Sequence, residues 1–107
     1  MKIYVMTWTE SEAGWGQRPD GYSLHKSPED FKKYTDEYWS RMPKGQTPHE
    51  YSYPDSQMNA RLRIVNVDGR SKLARSVRNS KNGVRVWESD KEVRDLFNNA
   101  TEAVARV

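Results

Sequence analysis

From Lys2 to Trp8 the chain alternates in a way that leaves neither face of a strand polar. Ile3, Val5 and Thr7 fall on one side, and Tyr4, Met6 and Trp8 on the other. A strand with apolar groups on both faces belongs in the middle of a sheet, so the rest of the chain has to supply its neighbours. The first stretch after it, Thr9 to Gly21, is rich in Gly, Ser and Glu and ends in Pro19-Asp20-Gly21, where Pro presets φ and Gly accepts a positive one. This predicts a long hairpin loop leading to a short second strand from Tyr22 to Lys26.

Ser27-Pro28-Glu29-Asp30 is a helix start: a capping serine, a proline suited to the first turn, and acids at the positive end of the dipole. Phe31, Tyr34, Tyr38 and Met42 repeat at helical spacing, with Trp39 at their edge, before Pro43 and Gly45 end the run. Gln46 to Ser56 reads as a Pro-broken loop holding His49, Tyr51 and Tyr53. A third strand is predicted from Met58 to Val67. There Met58, Ala60, Leu62 and Ile64 alternate with Asn59, Arg61 and Arg63, and Val65 and Val67 are either buried on the opposite face or shifted by a bulge. Arg70 to Ser80 reads as a short helix with Leu73, Ala74 and Val77 inward and Asn82-Gly83 as its left-handed stop. Val84 to Trp87 forms a fourth strand. Ser89-Asp90-Lys91-Glu92 is a capping box for a last helix striped by Val93, Leu96, Phe97, Ala100, Val104 and Val107. The expected fold is a single α+β domain over residues 1–107, in the order β-β-α-β-α-β-α. It has one mixed sheet of about four strands with helices packed on one face.

Ile, Leu, Val and Phe number 17 of the 107 residues, below the ~20% at which disorder becomes a concern. A net charge of only +3 and the presence of 4 Trp and 6 Tyr favour a folded chain with an aromatic core. So thin a core makes a homo-oligomer the expected state. The lack of cysteine excludes disulfides, thiolate zinc sites and Cys nucleophiles. Without a signal peptide or an apolar span in the sequence, a cytoplasmic protein with no membrane partner is expected.

Charge is uneven: Met1 to Asp55 carries 7 basic and 9 acidic side chains, Ser56 to Val107 carries 11 and 6. The excess lies between Arg61 and Arg85, where Arg61, Arg63, Arg70, Lys72, Arg75, Arg78, Lys81 and Arg85 face one acid, Asp68. Arginine suits bidentate contacts to phosphate or carboxylate. If the third and fourth strands are neighbours, Arg61, Arg63, Arg85 and Trp87 share one sheet face, able to grip phosphates and stack on a base. The alternative is a solvated outer face. Arg70, Lys72, Arg75, Arg78 and Lys81 surround the short helix, either to meet phosphates or to pair with acids such as Glu10, Glu12 or Glu50. Trp15, between Gly14 and Gly16, reads with Arg18 as a contact loop over a ligand or as a pin on the core. The two histidines match no metal motif: His25 ends the second strand, His49 is assigned an ordinary surface role in its loop, and no nucleophile elbow or triad spacing is present.

These residues point to a non-enzymatic protein without a cofactor that binds a phosphorylated anion. A nucleotide or cyclic nucleotide held by sequestration leads, ahead of nucleic acid on the same basic face or a host protein inhibited through a Trp/Tyr/Arg surface. The expected ligand-binding residues are Arg61, Arg63, Arg85, Trp87, Arg75, Arg78, Trp15 and Arg18. In general character, small, basic, Cys-free and aromatic-rich, the chain resembles the compact proteins that phages and mobile elements encode to modulate host systems.

Overall fold

The computed structural model describes residues 1–42, 50–55, 61–87, 89, 91–98 and 104–105. They form an α+β fold in which β1 (Lys2–Glu12), β2 (Gly16–His25), β3 (Glu50–Pro54), β4 (Leu62–Asn66), β5 (Val84–Val86) and β6 (Val104–Ala105) make one sheet. The helices are α1 (Pro28–Ser40), α2 (Lys72–Asn79) and α3 (Lys91–Asn98). The sheet order is β5-β2-β1-β4-β6, with β3 also paired to β1. All of these pairings are antiparallel, so the sheet is not mixed and has six strands instead of four.

The central position expected for the first strand is observed. β2 lies along one edge of β1, while the other edge is shared by β4, opposite Lys2–Val5, and β3, opposite Trp8–Glu12. Both faces of β1 are covered, which corrects the expectation of helices on one face only. Ile3, Val5, Leu24 and Val65 pack with Leu73 and Val77 of α2 and Leu96 of α3. Met6, Trp8 and Leu62 pack with Phe31 of α1, flanked by Tyr4, Tyr34 and Tyr38. Full burial of each large aliphatic or aromatic side chain contributes roughly 1.5–3 kcal/mol. Seven such residues come from β1, β2 and β4: Ile3, Val5, Met6, Trp8, Leu24, Leu62 and Val65. Val65 is therefore buried on the face opposite Leu62, as one of the two sequence alternatives required.

The stretch expected to be a loop from Thr9 to Gly21 is mostly the far end of the β1–β2 hairpin. The Trp15 N–H donates to the Glu12 carbonyl at 3.0 Å, and Gly14, third in this four-residue turn, takes φ +85°. Polar composition suggested a loop because this arm carries little of the core and has no need of alternating apolar residues. Pro19 is tolerated because β5 pairs with β2 only across Tyr22–Leu24, leaving Pro19 with no outer strand neighbour among the described residues. Thr7 pairs with Tyr22 and Thr9 with Pro19, so Asp20 and Gly21 together face Trp8 in a β-bulge.

Ser27 caps α1, accepting from the Asp30 N–H at 3.1 Å, and Ser71 caps α2 through the Ala74 N–H at 3.1 Å. Leu73, Ala74 and Val77 point inward as expected. The stop of α2 comes earlier than Asn82-Gly83, at Ser80, whose ψ of 154° is already extended. Tyr51 and Tyr53 belong to strand β3, where a loop was expected. Asp55 fastens that strand by accepting from Thr7 Oγ1 at 2.7 Å and Thr9 Oγ1 at 2.6 Å. Val104 lies in β6, paired with β4, and not on a continuing helix stripe. The expected roles of Pro43, Gly45, His49, Met58, Asn59, Ala60, Asp90, Ala100 and Val107, and of the Glu92 and Phe97 side chains, lie outside the described residues.

Candidate functional site

The proposed arginine face does not form within one chain. β4 and β5 are separated by β1 and β2. Arg63 lies opposite Val5, on the side of the sheet covered by α2 and α3, while Arg85 lies opposite Ser23, on the side covered by α1. Alternation within each strand was right, and the assumed neighbourhood was wrong. Arg61 is exposed just ahead of β4, and Trp87 is half-exposed just after β5.

Arg85 is committed to the protein itself. Its Nη2 donates to the Asp20 backbone carbonyl at 2.7 Å and the Asp20 carboxylate at 3.1 Å, and reaches Ser52 Oγ at 3.4 Å. The guanidinium carbon sits 4.2 Å from the Trp8 ring centre and 5.8 Å from that of Trp87, within cation–π range of both. Tyr34 and Tyr38 complete the surround, each edge-on to Trp8, and the Tyr38 hydroxyl donates to the Ser52 carbonyl. Burial raises the pKa of both phenols, an effect that the nearby Arg85 charge partly opposes. Arg85 thus ties β5 to the β2 bulge, to β3 and to β1. Gly21 is what lets β5 come so close: a Cβ there would lie 2.3 Å from the Val86 carbonyl oxygen.

His25 ends β2, as the sequence suggested, and is fully buried. The hydrogen-bond directions around it follow from the groups that have only one role. An indole N–H only donates, so Trp8 Nε1 gives its proton to Ser23 Oγ at 2.8 Å. A carbonyl only accepts, so His25 Nδ1 carries hydrogen toward Asn82 O at 2.7 Å. Ser23 then donates to His25 Nε2 at 2.7 Å. The chain Trp8–Ser23–His25–Asn82 is satisfied by a neutral imidazole. Desolvation accordingly pushes the His25 pKa down to about 4, against the opposing influence of the Asn82 carbonyl and the Asp30 charge. A Ser–His pair at this distance resembles an activated nucleophile. Here, however, both residues are fully buried and Ser23 Oγ already accepts from Trp8, which gives the pair a structural role.

The remaining expected residues divide between two places. Trp15 stands 83% exposed at the hairpin tip, so it does not pin the loop to the core. Arg18 forks onto Glu10 through Nε and Nη2, both at 3.0 Å, and approaches Glu12 at 3.8 Å. A shallow concavity of about 40 Å³ here is lined by Glu10, Glu12, Trp15, Gly16, Gln17 and Arg18. Its two carboxylates make it ill-suited to phosphate.

Arg75 and Arg78 lie on α2, whose exposed surface is basic and whose first turn holds no acid. At 100° per residue, Lys72, Arg75 and Asn79 stand opposite the buried Leu73, Ala74 and Val77, with Arg78 on the flank. Arg78 Nη1 is held by the Gly69 carbonyl at 2.6 Å. Among the described residues, none of Arg70, Lys72, Arg75, Arg78 and Lys81 has an ion-pair partner. Glu10 and Glu12, two of the acids considered as partners, are engaged by Arg18. The Glu50 side chain lies outside the described residues.

No cluster of three or more His, Asp or Glu suited to a metal occurs among the described residues. No helix among them is long and apolar enough to cross a membrane. Sequence reasoning missed the surround of Arg85. Asp20 and Ser52 lie 65 and 33 residues from it along the chain, and no local pattern signals such a meeting. Compared with known proteins, the chain matches no family model, no curated sequence and no solved structure.

Proposed function

We propose that the protein is a non-enzymatic binder of a phosphate-bearing anion, and that the binding surface is the exposed face of α2. One observation carries this reading: five cations on and beside an eight-residue helix that contains no acid and has no ion-pair partner among the described residues. Like charges three and four residues apart repel by a few tenths of a kcal/mol per pair, and a bound polyanion relieves that repulsion. This reading takes Arg75 and Arg78 from the sequence expectation, together with Lys72. It leaves out Arg85, which is occupied internally, and Arg18, which is occupied by Glu10.

The test is titration with mono-, di- and cyclic nucleotides and with heparin, at low and high salt, for the parent protein and Lys72→Gln/Arg75→Gln. Binding that is lost in this variant and kept in Trp87→Ala supports the α2 surface. Binding that depends on Trp87 and ignores α2 returns the site to the β5 side of the sheet. Light scattering on the same samples reads the homo-oligomer expected from the small core.

A further inference from the structure

We infer that the anion is duplex DNA and that α2 enters its major groove, an inference that rests on the α2 surface proposed above. Shape is the first argument. The cations lie on the outer ridge of a helix, and a ridge gives no concavity in which the base of a single nucleotide is enclosed. The eight residues of α2 extend about 12 Å along the axis, with Arg70 and Lys81 beyond its two ends. B-form DNA presents roughly one charge per 1.7 Å of axis, and its major groove, about 12 Å wide, admits a helix. Cations spread over both ends of a ridge match several phosphates of a polymer better than the one to three of a free nucleotide.

The crown of the helix is the second argument. Lys72, Arg75 and Asn79 are exposed and stand opposite the buried face. Arg and Lys pair with guanine O6 and N7, and Asn pairs with adenine N6 and N7, the edges that the major groove offers. Ser76 beside them is turned back, donating to the Lys72 carbonyl at 3.1 Å. Arg78 is oriented by the Gly69 carbonyl at the helix flank, where a groove wall would bring phosphate. The same helix does not fit the deep, narrow major groove of A-form RNA.

The experiment is fluorescence anisotropy with a 24-base-pair DNA duplex, the RNA duplex of the same sequence, a single strand and heparin, in a salt series. The expected result is preference for duplex DNA over duplex RNA by at least about tenfold. Its log–log salt slope should be about −3, for the three phosphate contacts that Arg70, Arg78 and Lys81 offer once Lys72 and Arg75 reach base edges. Arg78→Gln should flatten the slope by about one, and Asn79→Ala should leave the slope unchanged while narrowing the spread of affinities across a randomised duplex pool. Both positions are exposed, and circular dichroism checks that each variant is folded. Equal binding to DNA, RNA and heparin overturns the groove assignment and leaves the α2 anion surface standing. Nucleotide binding without polymer binding does the same. Silence toward every probe at low salt overturns both.

Discussion

Asp20 holds Arg85 twice, through its carboxylate at 3.1 Å and its own backbone carbonyl at 2.7 Å. The β-bulge opposite Trp8 turns both oxygens toward the same guanidinium nitrogen. The pair is largely shielded, with side-chain exposures of 16% for Arg85 and 25% for Asp20. Removing one partner leaves the other charge poorly solvated. Asp20→Ala is expected to lower stability by about 2–3 kcal/mol, less than the ~3–5 of a fully buried pair. A double-mutant cycle of Asp20→Asn with Arg85→Gln, followed by urea unfolding, should give a coupling of about 1–3 kcal/mol. Additive effects would mean that the contact carries no energy of its own.

The His25 relay predicts an acid-side loss of stability. Because the folded pKa of about 4 lies below the ordinary value of 6.5, the unfolded chain binds the proton more readily between these two values. The contribution of His25 is complete above pH 6.5. It declines as pH falls through that window and is spent near pH 4, a change on the order of 3 kcal/mol. Urea midpoints at pH 7.5, 5.5 and 4.5 measure it, and His25→Phe should flatten that part of the profile.

Gly83 and Gly14 separate two reasons for glycine. At Gly83, φ is +146° and a Cβ would stand 2.3 Å from His25 Nδ1 and 2.8 Å from the Leu24 carbonyl oxygen. At Gly14, φ is +85° and nothing lies within 4 Å of that position. Gly14→Ala should therefore lose only about 1 kcal/mol, for the left-handed backbone. Gly83→Ala should lose at least twice that, because backbone and a locked imidazole cannot give way. Equal losses, measured by thermal and urea unfolding, would refute the steric account.

Trp15, the most exposed large apolar side chain described, should be thermodynamically silent in the free protein. Trp15→Ala is expected to change stability by no more than about 0.5 kcal/mol and to remove the most red-shifted part of the tryptophan emission. A larger loss would place the indole against the fold.

Much of the local structure was legible. The double-faced alternation of Lys2 to Trp8 placed β1 at the centre, and Ser27 with Pro28 announced α1 through its capping chemistry. What escaped was nonlocal or disguised. Arg63 and Arg85 each obeyed period-two alternation, yet their common face depended on which strands are neighbours, and that is decided by packing between segments far apart. Thr9 to Glu12 and Gly16 to Pro19 pair into a polar arm whose composition mimics a loop. Gly83 looked like a helix stop, but its lack of a side chain makes room for His25.

The shared edge of β1 has a consequence for the protein's birth on the ribosome. Lys2 finds its partner only when Asn66 has been made, and Trp8 waits for Pro54. At about 5–20 residues per second, the nascent hairpin of β1 and β2 spends several seconds with one full edge of its central strand unsatisfied and the face that α2 and α3 cover still open. Contacts this distant in sequence also slow the search for the native state. The charges of Glu10 and Glu12, on the β1 strand itself, disfavour pairing of that waiting edge with the strand of another unfinished chain.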